Sequence, residues 1–165
     1  MNMNLATQTP LASATRLPQE LVESTTFLLK RLGFAAKDRT LAAYEETGLH
    51  PYHHAVLLVL DEGAPETQGS IADTLGYDRG QLVGLLDELE ERELVERKRD
   101  PNDRRRHVVR LTPAGKKMLR RLRTLSGQIE DDFLAPLDEG QREALYSLLL
   151  RLAETHEPRC APLKP

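Results

Sequence analysis

Residues 68–111 place two helical patterns, a glycine turn and two β-rich runs in direct succession: QGSIADTLGYDRGQLVGLLDELEERELVERKRDPNDRRRHVVRL. The spacing of apolar residues predicts a short helix over Gln68–Leu75, which Gly76 ends because a left-handed turn favours a residue without a Cβ. Asp78 can cap a second helix. Four leucines share one face of that helix: Leu82, Leu85, Leu86 and Leu89. Two short helices joined by a glycine turn are typical of a helix-turn-helix.

A β-hairpin and longer helices surround this unit. The β-rich runs at 94–99 and 104–111 are separated by the polar turn Asp100-Pro101-Asn102-Asp103, which predicts a hairpin. Apolar periodicity and capping residues predict four further helices. They cover 18–36, 50–61, 113–133 and 139–152 approximately. The predicted fold class is therefore mainly α with a small β-hairpin.

Acidic and basic residues are segregated along the chain. The formal net charge is −3, yet residues 97–123 contain twelve Lys or Arg against two Asp, a local balance of +10 that leaves −13 elsewhere. A basic stretch inside an acidic protein favours binding of a polyanion such as DNA at one place. For Lys116–Arg123, a solvated helix face explains the charges equally well.

Composition argues against several classes of protein. With 165 residues, 39% of them hydrophobic, we expect a single domain, and seven aromatic residues without tryptophan are few for a cofactor pocket. No Gly-rich phosphate loop, metal triad or nucleophile with a recognisable base is present, so we expect neither an enzyme nor a cofactor. The single cysteine, Cys160, cannot form an intrachain disulfide. The longest apolar run, Ala55–Leu60, is too short for a bilayer, and the N-terminus lacks the layout of a signal peptide, which predicts a cytoplasmic protein without a membrane partner.

The second helix of the helix-turn-helix is the candidate DNA reader. A helix 10–12 Å across fits a major groove about 12 Å wide. Gly80 and Gly84 fall opposite the leucine face, with Gln81 and Val83 on its shoulders, and with Arg79 these are the candidates for DNA contact. Two glycines on one outward face favour close approach to a partner, although Gly80 in the first turn costs the helix little. The acidic end of the helix is expected to point away from phosphate.

Two more elements are candidates for contact with the DNA backbone. Thr67, Gln68 and Ser70 begin the preceding helix, where they either hold a phosphate or act as an ordinary N-cap. At the hairpin tip, Arg104, Arg105 and Arg106 can enter a narrow minor groove, and Asp103 can brace one guanidinium. A solvent-exposed charged turn is the alternative interpretation of the tip.

The sequence resembles the multiple-antibiotic-resistance regulator (MarR) family. Four runs carry the resemblance: DPNDRR at 100–105, VRLTPAG at 109–115, LDELE at 86–90 and LVER at 94–97. It implies a homodimeric winged helix-turn-helix transcription factor, usually a repressor, in which Asp103 and Arg105 match the wing pair and Arg79–Gly84 match the base-reading segment. Glu93 stands where the family usually has Gly, and Gly84 where it often has a larger polar residue, so the operator sequence is not implied.

The resemblance and two apolar stripes together predict the domain organisation. One stripe lies in the first predicted helix and the other in the last: Leu21, Leu28, Leu29 and Leu32, and Leu145, Leu148, Leu149 and Leu152. We expect a flexible arm at 1–17, a single MarR-type domain at 18–156 and a flexible tail at 157–165. Within the domain, the winged helix-turn-helix covers about 50–112, and dimerisation helices cover about 18–47 and 113–156. A two-fold dimer would bind double-stranded DNA with a pseudo-palindromic operator.

Many members of that family release DNA when a small aromatic or phenolic effector binds. Phe27, Tyr44, Tyr52 and His53 are candidates to wall such a site, although packing is the more common role of scattered aromatics. His50 and His54, four residues apart, could share a helix face, but no metal site is predicted. Cys160 is read as a plain free thiol.

A rival function is an interaction module that keeps the winged fold but binds protein instead of specific DNA. Such a module would not need three arginines at the hairpin tip. The tip therefore distinguishes the two functions.

Overall fold

The computed structural model describes residues 16–62, 67–100 and 107–160. The chain divides into two compact units, residues 1–37 and 38–165. The elements in chain order are α1 (Gln19–Val22), α2 (Thr25–Glu45), α3 (Pro51–Asp61), α4 (Gln68–Leu75), α5 (Arg79–Glu91), β1 (Val95–Arg99), β2 (His107–Leu111), α6 (Pro113–Phe133), α7 (Glu139–His156) and a 3-10 turn at Pro158–Cys160. The predicted fold class, mainly helical with one hairpin, is confirmed.

The predicted single helix over 18–36 is wrong in its bounds. The chain forms the short α1, breaks at Glu23 and Ser24, and starts again as α2, which continues to Glu45. Ser24 restarts the helix, because its hydroxyl accepts the Phe27 N–H at 3.3 Å and its carbonyl accepts the Leu28 N–H at 3.0 Å. Leucine spacing alone does not reveal this cap.

The described part of the first unit buries none of its apolar side chains. Six of its large hydrophobic residues are exposed: Leu17, Leu21, Leu28, Leu29, Leu32 and Phe34. An apolar face that remains open within its own unit is typical of a surface that packs against another chain or unit.

In the second unit, α3, α4 and α5 form the helix-turn-helix lobe with the predicted bounds. Gly76 takes the left-handed conformation (φ +66°) that ends α4, and Asp78 caps α5 as predicted. The four predicted leucines of α5 are buried, and they belong to the same core cluster as residues of α3 such as Leu57. Each fully buried leucine stabilises the fold by about 1.5–3 kcal/mol, so this core fixes the orientation of α5.

The two strands pair antiparallel, from Val95 opposite Leu111 to Arg99 opposite His107. The base of the hairpin is joined to α6 through Thr112, whose hydroxyl donates to the Glu93 carbonyl at 2.6 Å and accepts the Gly115 N–H at 2.9 Å. Gly115 is required here, because a Cβ would lie 1.9 Å from the Leu94 carbonyl oxygen. The end of α5, the hairpin and the start of α6 therefore meet at one tight junction.

An ion pair joins the end of α6 to the start of α7. Asp138 caps α7, and Arg142 pairs with Asp131 of α6 at 3.0 Å. Four large side chains of α7 remain exposed: Tyr146, Leu148, Leu149 and Leu152. Three of them belong to the predicted apolar stripe, which the second unit does not bury.

The chain after α7 forms one 3-10 turn before the described residues end. Arg159 pairs with Glu157 and lies over Gly76, whose missing Cβ leaves room for the guanidinium. Cys160 is an exposed free thiol. Residues 1–15 and 161–165, which hold most of the predicted flexible ends, lie outside the described residues.

Glu93 is the one non-glycine residue with positive φ in the described chain, at +57°. We expect Glu93→Gly to raise the free energy of unfolding by up to about 1 kcal/mol, because it removes left-handed strain of roughly 1–2 kcal/mol at a smaller entropic cost. Glu93→Ala is the control, since it removes the same carboxylate but keeps the strain. Urea unfolding followed by circular dichroism measures both, and an equal gain in the two variants would contradict the strain argument.

Candidate nucleic-acid interface

The first turn of α5 is exposed to solvent, and the side chain of Asp78 caps it. Asp78 Oδ1 accepts the backbone N–H groups of Gly80 at 2.8 Å and Gln81 at 3.2 Å. The five predicted contact residues are all exposed: Arg79, Gly80, Gln81, Val83 and Gly84. All five lie in the first half of α5, and Gly80 and Gly84 lie opposite the buried leucines.

The two glycines of this surface have different surroundings. A Cβ at Gly80 would lie 3.0 Å from Asp78 Oδ1, so this glycine leaves room for the cap itself. Gly84 faces open space, with no heavy atom within 4 Å of a Cβ built there. Packing inside the protein therefore does not explain Gly84, whereas it does explain Gly80.

The acidic second half of α5 is tied to the rest of the lobe. Arg97 of β1 reaches across to Asp87 and Glu90, with its Nη1 3.0 Å from Glu90 Oε2. Glu88 lies on another side, 3.1 Å from Nε2 of the buried His53. The acidic residues of α5 therefore lie in its second half, where Asp87, Glu88 and Glu90 have partners within the lobe, whereas its exposed first turn contains no acidic residue.

Sequence reasoning counted Arg97 among the basic residues available to a polyanion. The structure instead uses it inside the lobe, where its side chain is 24% exposed between two carboxylates. The spacing of Asp87 and Glu90, one turn apart on α5, is the signal that could have indicated a bidentate partner.

At the start of α4, Thr67 and Ser70 form a reciprocal capping box. The Thr67 hydroxyl accepts the Ser70 N–H at 3.2 Å, and the Ser70 hydroxyl accepts the Thr67 N–H at 2.8 Å. The N-cap interpretation of these two residues accounts for both hydroxyls. Gln68, between them, is half-buried at the same helix start.

The predicted hairpin tip lies outside the described residues. Asp103, Arg104, Arg105 and Arg106 all belong to the segment 101–106, and their roles stay predictions. The described strands end at Arg99 and His107, which pair directly across the hairpin. The tip therefore connects two neighbouring strand ends.

The predicted effector residues have packing contacts of their own. The Tyr44 hydroxyl is hydrogen-bonded to Nδ1 of His54 at 2.6 Å, and Tyr52 meets the ring of Tyr77 edge-on at 5.3 Å. Phe27 is half-buried in the first unit. These contacts fit the packing interpretation, and a role in effector binding stays a prediction.

A cavity of about 350 Å³ lies between the end of α2 and the middle of α6. Sequence reasoning did not single out its lining, because no motif marks it. The lining residues are Ala43, Glu46, Thr47, Arg121, Thr124, Leu125 and Gln128. The cavity is partly open to solvent, and its lining is mainly polar, with Ala43 and Leu125 as the apolar side chains.

Two buried histidines connect α3 to neighbouring helices. Nδ1 of His53 accepts the His50 backbone N–H at 2.9 Å, so its proton is on Nε2, which faces Glu88. Burial lowers the pKa of His53, against the opposing effect of Glu88. Burial also lowers the pKa of His54, and the charge of Arg123 adds to that effect. Among the residues that the structure describes, no cluster of three metal-ligating side chains includes these histidines or any others.

Comparison with known proteins places this fold. The MarR family model matches residues 47–106. A Thauera aromatica protein named as a transcriptional regulatory protein for the hcr operon is 30% identical over 129 residues, covering 73% of this chain and 78% of that protein. The Bacillus subtilis HTH-type transcriptional regulator YcgE is 30% identical over 145 residues, covering 88% of this chain and 94% of the relative. The chain belongs to the MarR family.

Solved structures of MarR-family proteins extend the comparison. The transcriptional repressor CouR bound to a 23-mer DNA duplex is 36% identical, with a TM-score of 0.73 over 84% of this chain and 99% of that one. CouR from Rhodococcus jostii RHA1 bound to p-coumaroyl-CoA aligns at 30% identity, with a TM-score of 0.67 over 84% of this chain and 97% of that one. The MarR-family chain is thus a winged helix-turn-helix transcriptional regulator that binds DNA. Within the described residues, no helix combines the length and apolar character needed to span a membrane.

We expect the stability of this MarR-family chain to fall as the pH drops below about 6.5, the ordinary pKa of histidine. His53 and His54 have lowered pKa values when folded, so the unfolded chain binds protons first and each histidine contributes a slope of at most about 1.4 kcal/mol per pH unit. Urea unfolding at several pH values measures the slope. His53→Gln and His54→Gln should flatten it, whereas His107→Gln, at the exposed start of β2, should keep it. An unchanged slope in both buried-site variants would refute this account.

Proposed function

We propose that the chain represses transcription as a homodimer on a pseudo-palindromic operator and leaves DNA when a small effector binds. The observation that carries the proposal is the exposed first turn of α5, which Asp78 caps and the leucine core holds in place. A helix end presented in this way fits the major groove. The DNA-bound structure of the related CouR supports the same use of the fold.

The exposed residues of α5 divide the work of recognition by their chemistry. Gln81 can form two hydrogen bonds with adenine, Arg79 can bind guanine or phosphate, and Val83 can contact a thymine methyl group. Gly84 lets the helix backbone approach the groove closely. Next to α5, the start of α4, formed by Thr67, Gln68 and Ser70, would contact phosphate through backbone N–H groups. The hydroxyls of Thr67 and Ser70 are engaged in the cap.

The wing is proposed to bind the minor groove next to the site of α5. Arg105 would enter the groove and Asp103 would hold the guanidinium, while Arg104 and Arg106 contact phosphates. Enrichment of arginine at this tip is the feature that separates a DNA-binding wing from a protein-interaction module.

The exposed apolar faces support the homodimer. Leu28, Leu29 and Leu32 lie open in the first unit, and Leu149 and Leu152 in the second. A two-fold partner would cover both sets and place two copies of α5 about one turn of DNA apart. On this basis, residues 18–47 and 113–156 form the dimerisation part of one domain, and residues 50–112 form the DNA-binding part.

A small aromatic or phenolic compound is the proposed effector. The presence of p-coumaroyl-CoA in a CouR structure supports this class, and the α2–α6 cavity offers a site of suitable size. The effector would also act on four side chains of the neighbouring helices, through movement of those helices: Phe27, Tyr44, Tyr52 and His53. The proposed action is binding without catalysis, in the cytoplasm, where chromosomal DNA is accessible.

The wing and α5 make separable contributions to DNA binding. Replacing Arg104, Arg105 and Arg106 together with Ala should lower affinity for operator and random DNA at least tenfold and reduce the salt dependence, because phosphate and groove contacts are lost.

Gln81→Ala should weaken binding to the operator by about 1–3 kcal/mol while leaving affinity for random DNA nearly unchanged. Fluorescence anisotropy at several salt concentrations measures both, on operator fragments selected from genomic DNA.

Arg110→Ala is the control for the wing variant, because Arg110 lies near the base of the same hairpin. Unchanged DNA affinity in the triple variant would favour the protein-interaction module. Equal loss on operator and random DNA in Gln81→Ala would refute its role in reading bases.

The α7 leucines are expected to hold the dimer together. Leu149→Glu with Leu152→Glu should give a monomer that loses most operator affinity, because carboxylates would be buried in an apolar interface. Ser147→Glu, exposed on the opposite side of α7, is the matched control and should remain dimeric. Sedimentation analysis checks the oligomeric state. A dimeric double variant would place the interface elsewhere.

A further inference from the structure

The outward side of α6 carries a cluster of cations, here named the α6 basic face. It consists of Lys116, Lys117, Arg120 and Arg121, all exposed. None of the four has an ion-pair partner among the residues that the structure describes. The next cation, Arg123, does have one, since it pairs with Asp61 at 2.8 Å.

The placement of this face works against helix stability. The cations begin one turn after Pro113, near the positive end of the helix dipole, where acidic residues are favoured instead. Lys116 and Arg120, and likewise Lys117 and Arg121, are like charges four residues apart and repel each other. A bound polyanion would relieve both effects at once, which a solvated face does not.

The DNA duplex that α5 is proposed to read is not well placed to be the polyanion bound by the α6 basic face. Helix α6 begins where Thr112 bonds to the Glu93 carbonyl, just beyond the C-terminal end of α5. The thirteen residues of α5 separate this point from the Asp78-capped turn. At 1.5 Å per residue, that is about 20 Å along the helix. The basic face therefore belongs to the base of the lobe, whereas α5 reads DNA with its other end.

A small-molecule cavity adjoins the face. Arg121 lines the α2–α6 cavity together with Thr124, Leu125 and Gln128 of the following turns of α6. At about 350 Å³, the partly open cavity is at the small end of ligand sites, so it has room for an acyl group but not for a whole nucleotide conjugate. Glu46 in the same lining can accept a hydrogen bond from a hydroxyl group of the ligand. Any phosphates attached to such a ligand would have to lie outside the cavity.

We propose that the α6 basic face binds the phosphate groups of an effector whose acyl part occupies the adjoining cavity, which makes the effector a coenzyme A thioester rather than a free aromatic acid. The proposal rests on the proposed function, because it specifies the effector of the same regulator. Arg121 links the two parts of the site. Lys116, Lys117 and Arg120 provide charge for a phosphorylated nucleotide along the outside of the helix.

Titration calorimetry on the purified full-length protein tests the proposal with three probes: p-coumaroyl-CoA, p-coumarate and coenzyme A. The unmodified protein should bind the thioester at least tenfold more tightly than the free acid, and this preference should shrink as salt increases. Combining Lys116→Gln, Lys117→Gln and Arg120→Gln should remove most of the preference and the binding of coenzyme A, while p-coumarate binding stays the same. Arg121 is left intact because it also lines the cavity.

The control combines Lys30→Gln, Arg31→Gln and Lys37→Gln, which remove the same charge from exposed positions of α2. It should keep the thioester preference. Thermal unfolding should show that the α6 variant folds, since the substitutions remove like-charge repulsion.

Several outcomes would overturn the proposal. They are failure of the thioester to bind, equal affinity of thioester and acid in the unmodified protein, and an unchanged preference in the α6 variant. Loss of DNA affinity or of the dimer in that variant, with the preference intact, would assign the face to DNA or to the partner copy. Failure of the proposed function is distinct, because the unmodified protein would then bind no genomic fragment selectively, whatever its effector.

Discussion

The structure depends on one amphipathic helix that has to bury one face and expose the opposite side of its first turn. The leucines of α5 fix its position in the core, and Asp78 satisfies two N–H groups of the first turn with one carboxylate oxygen. Without the leucine core the reading surface would have no fixed orientation. Without the cap, the backbone N–H groups of Gly80 and Gln81, in the turn that faces DNA, would have no hydrogen-bond acceptor within the protein. Recognition chemistry is therefore possible only because packing and capping act on opposite sides of the same helix.

Charge along α5 follows the same division. Its second half carries the acids, and Arg97 pairs with two of them, Asp87 and Glu90, while Glu88 lies 3.1 Å from Nε2 of His53. An arginine that a count of charges assigns to DNA thus serves to keep carboxylates in place. What matters for binding a polyanion is the charge that remains after internal pairing, and that charge lies at the exposed turn of α5 and on α6.

The sequence predicts elements whose signals are local and misses contacts that only the folded chain creates. Gly76, Asp78 and Thr112 act on residues within four positions, so the bounds of α4, α5 and α6 follow from them. Ser24 is also local, yet a continuous leucine pattern hides its cap. The pairing of Arg97 with α5, the contact of His53 with Glu88 and the α2–α6 cavity bring together residues from different elements. Pattern alone gives no distance between such residues.

The junction at the base of the hairpin gives effector binding a route to the DNA surface. Thr112 and Gly115 join the first turn of α6 to the carbonyls of Glu93 and Leu94, just after α5, so the two helices move together or break this contact. If an effector lowers affinity for DNA by a given factor, DNA must lower affinity for the effector by the same factor. A ligand on α6 can meet that condition only if its binding free energy differs between the free and the DNA-bound protein. The close approach of Gly115 to the Leu94 backbone leaves little room for independent movement, which makes α6 a physically suitable place for the effector to act.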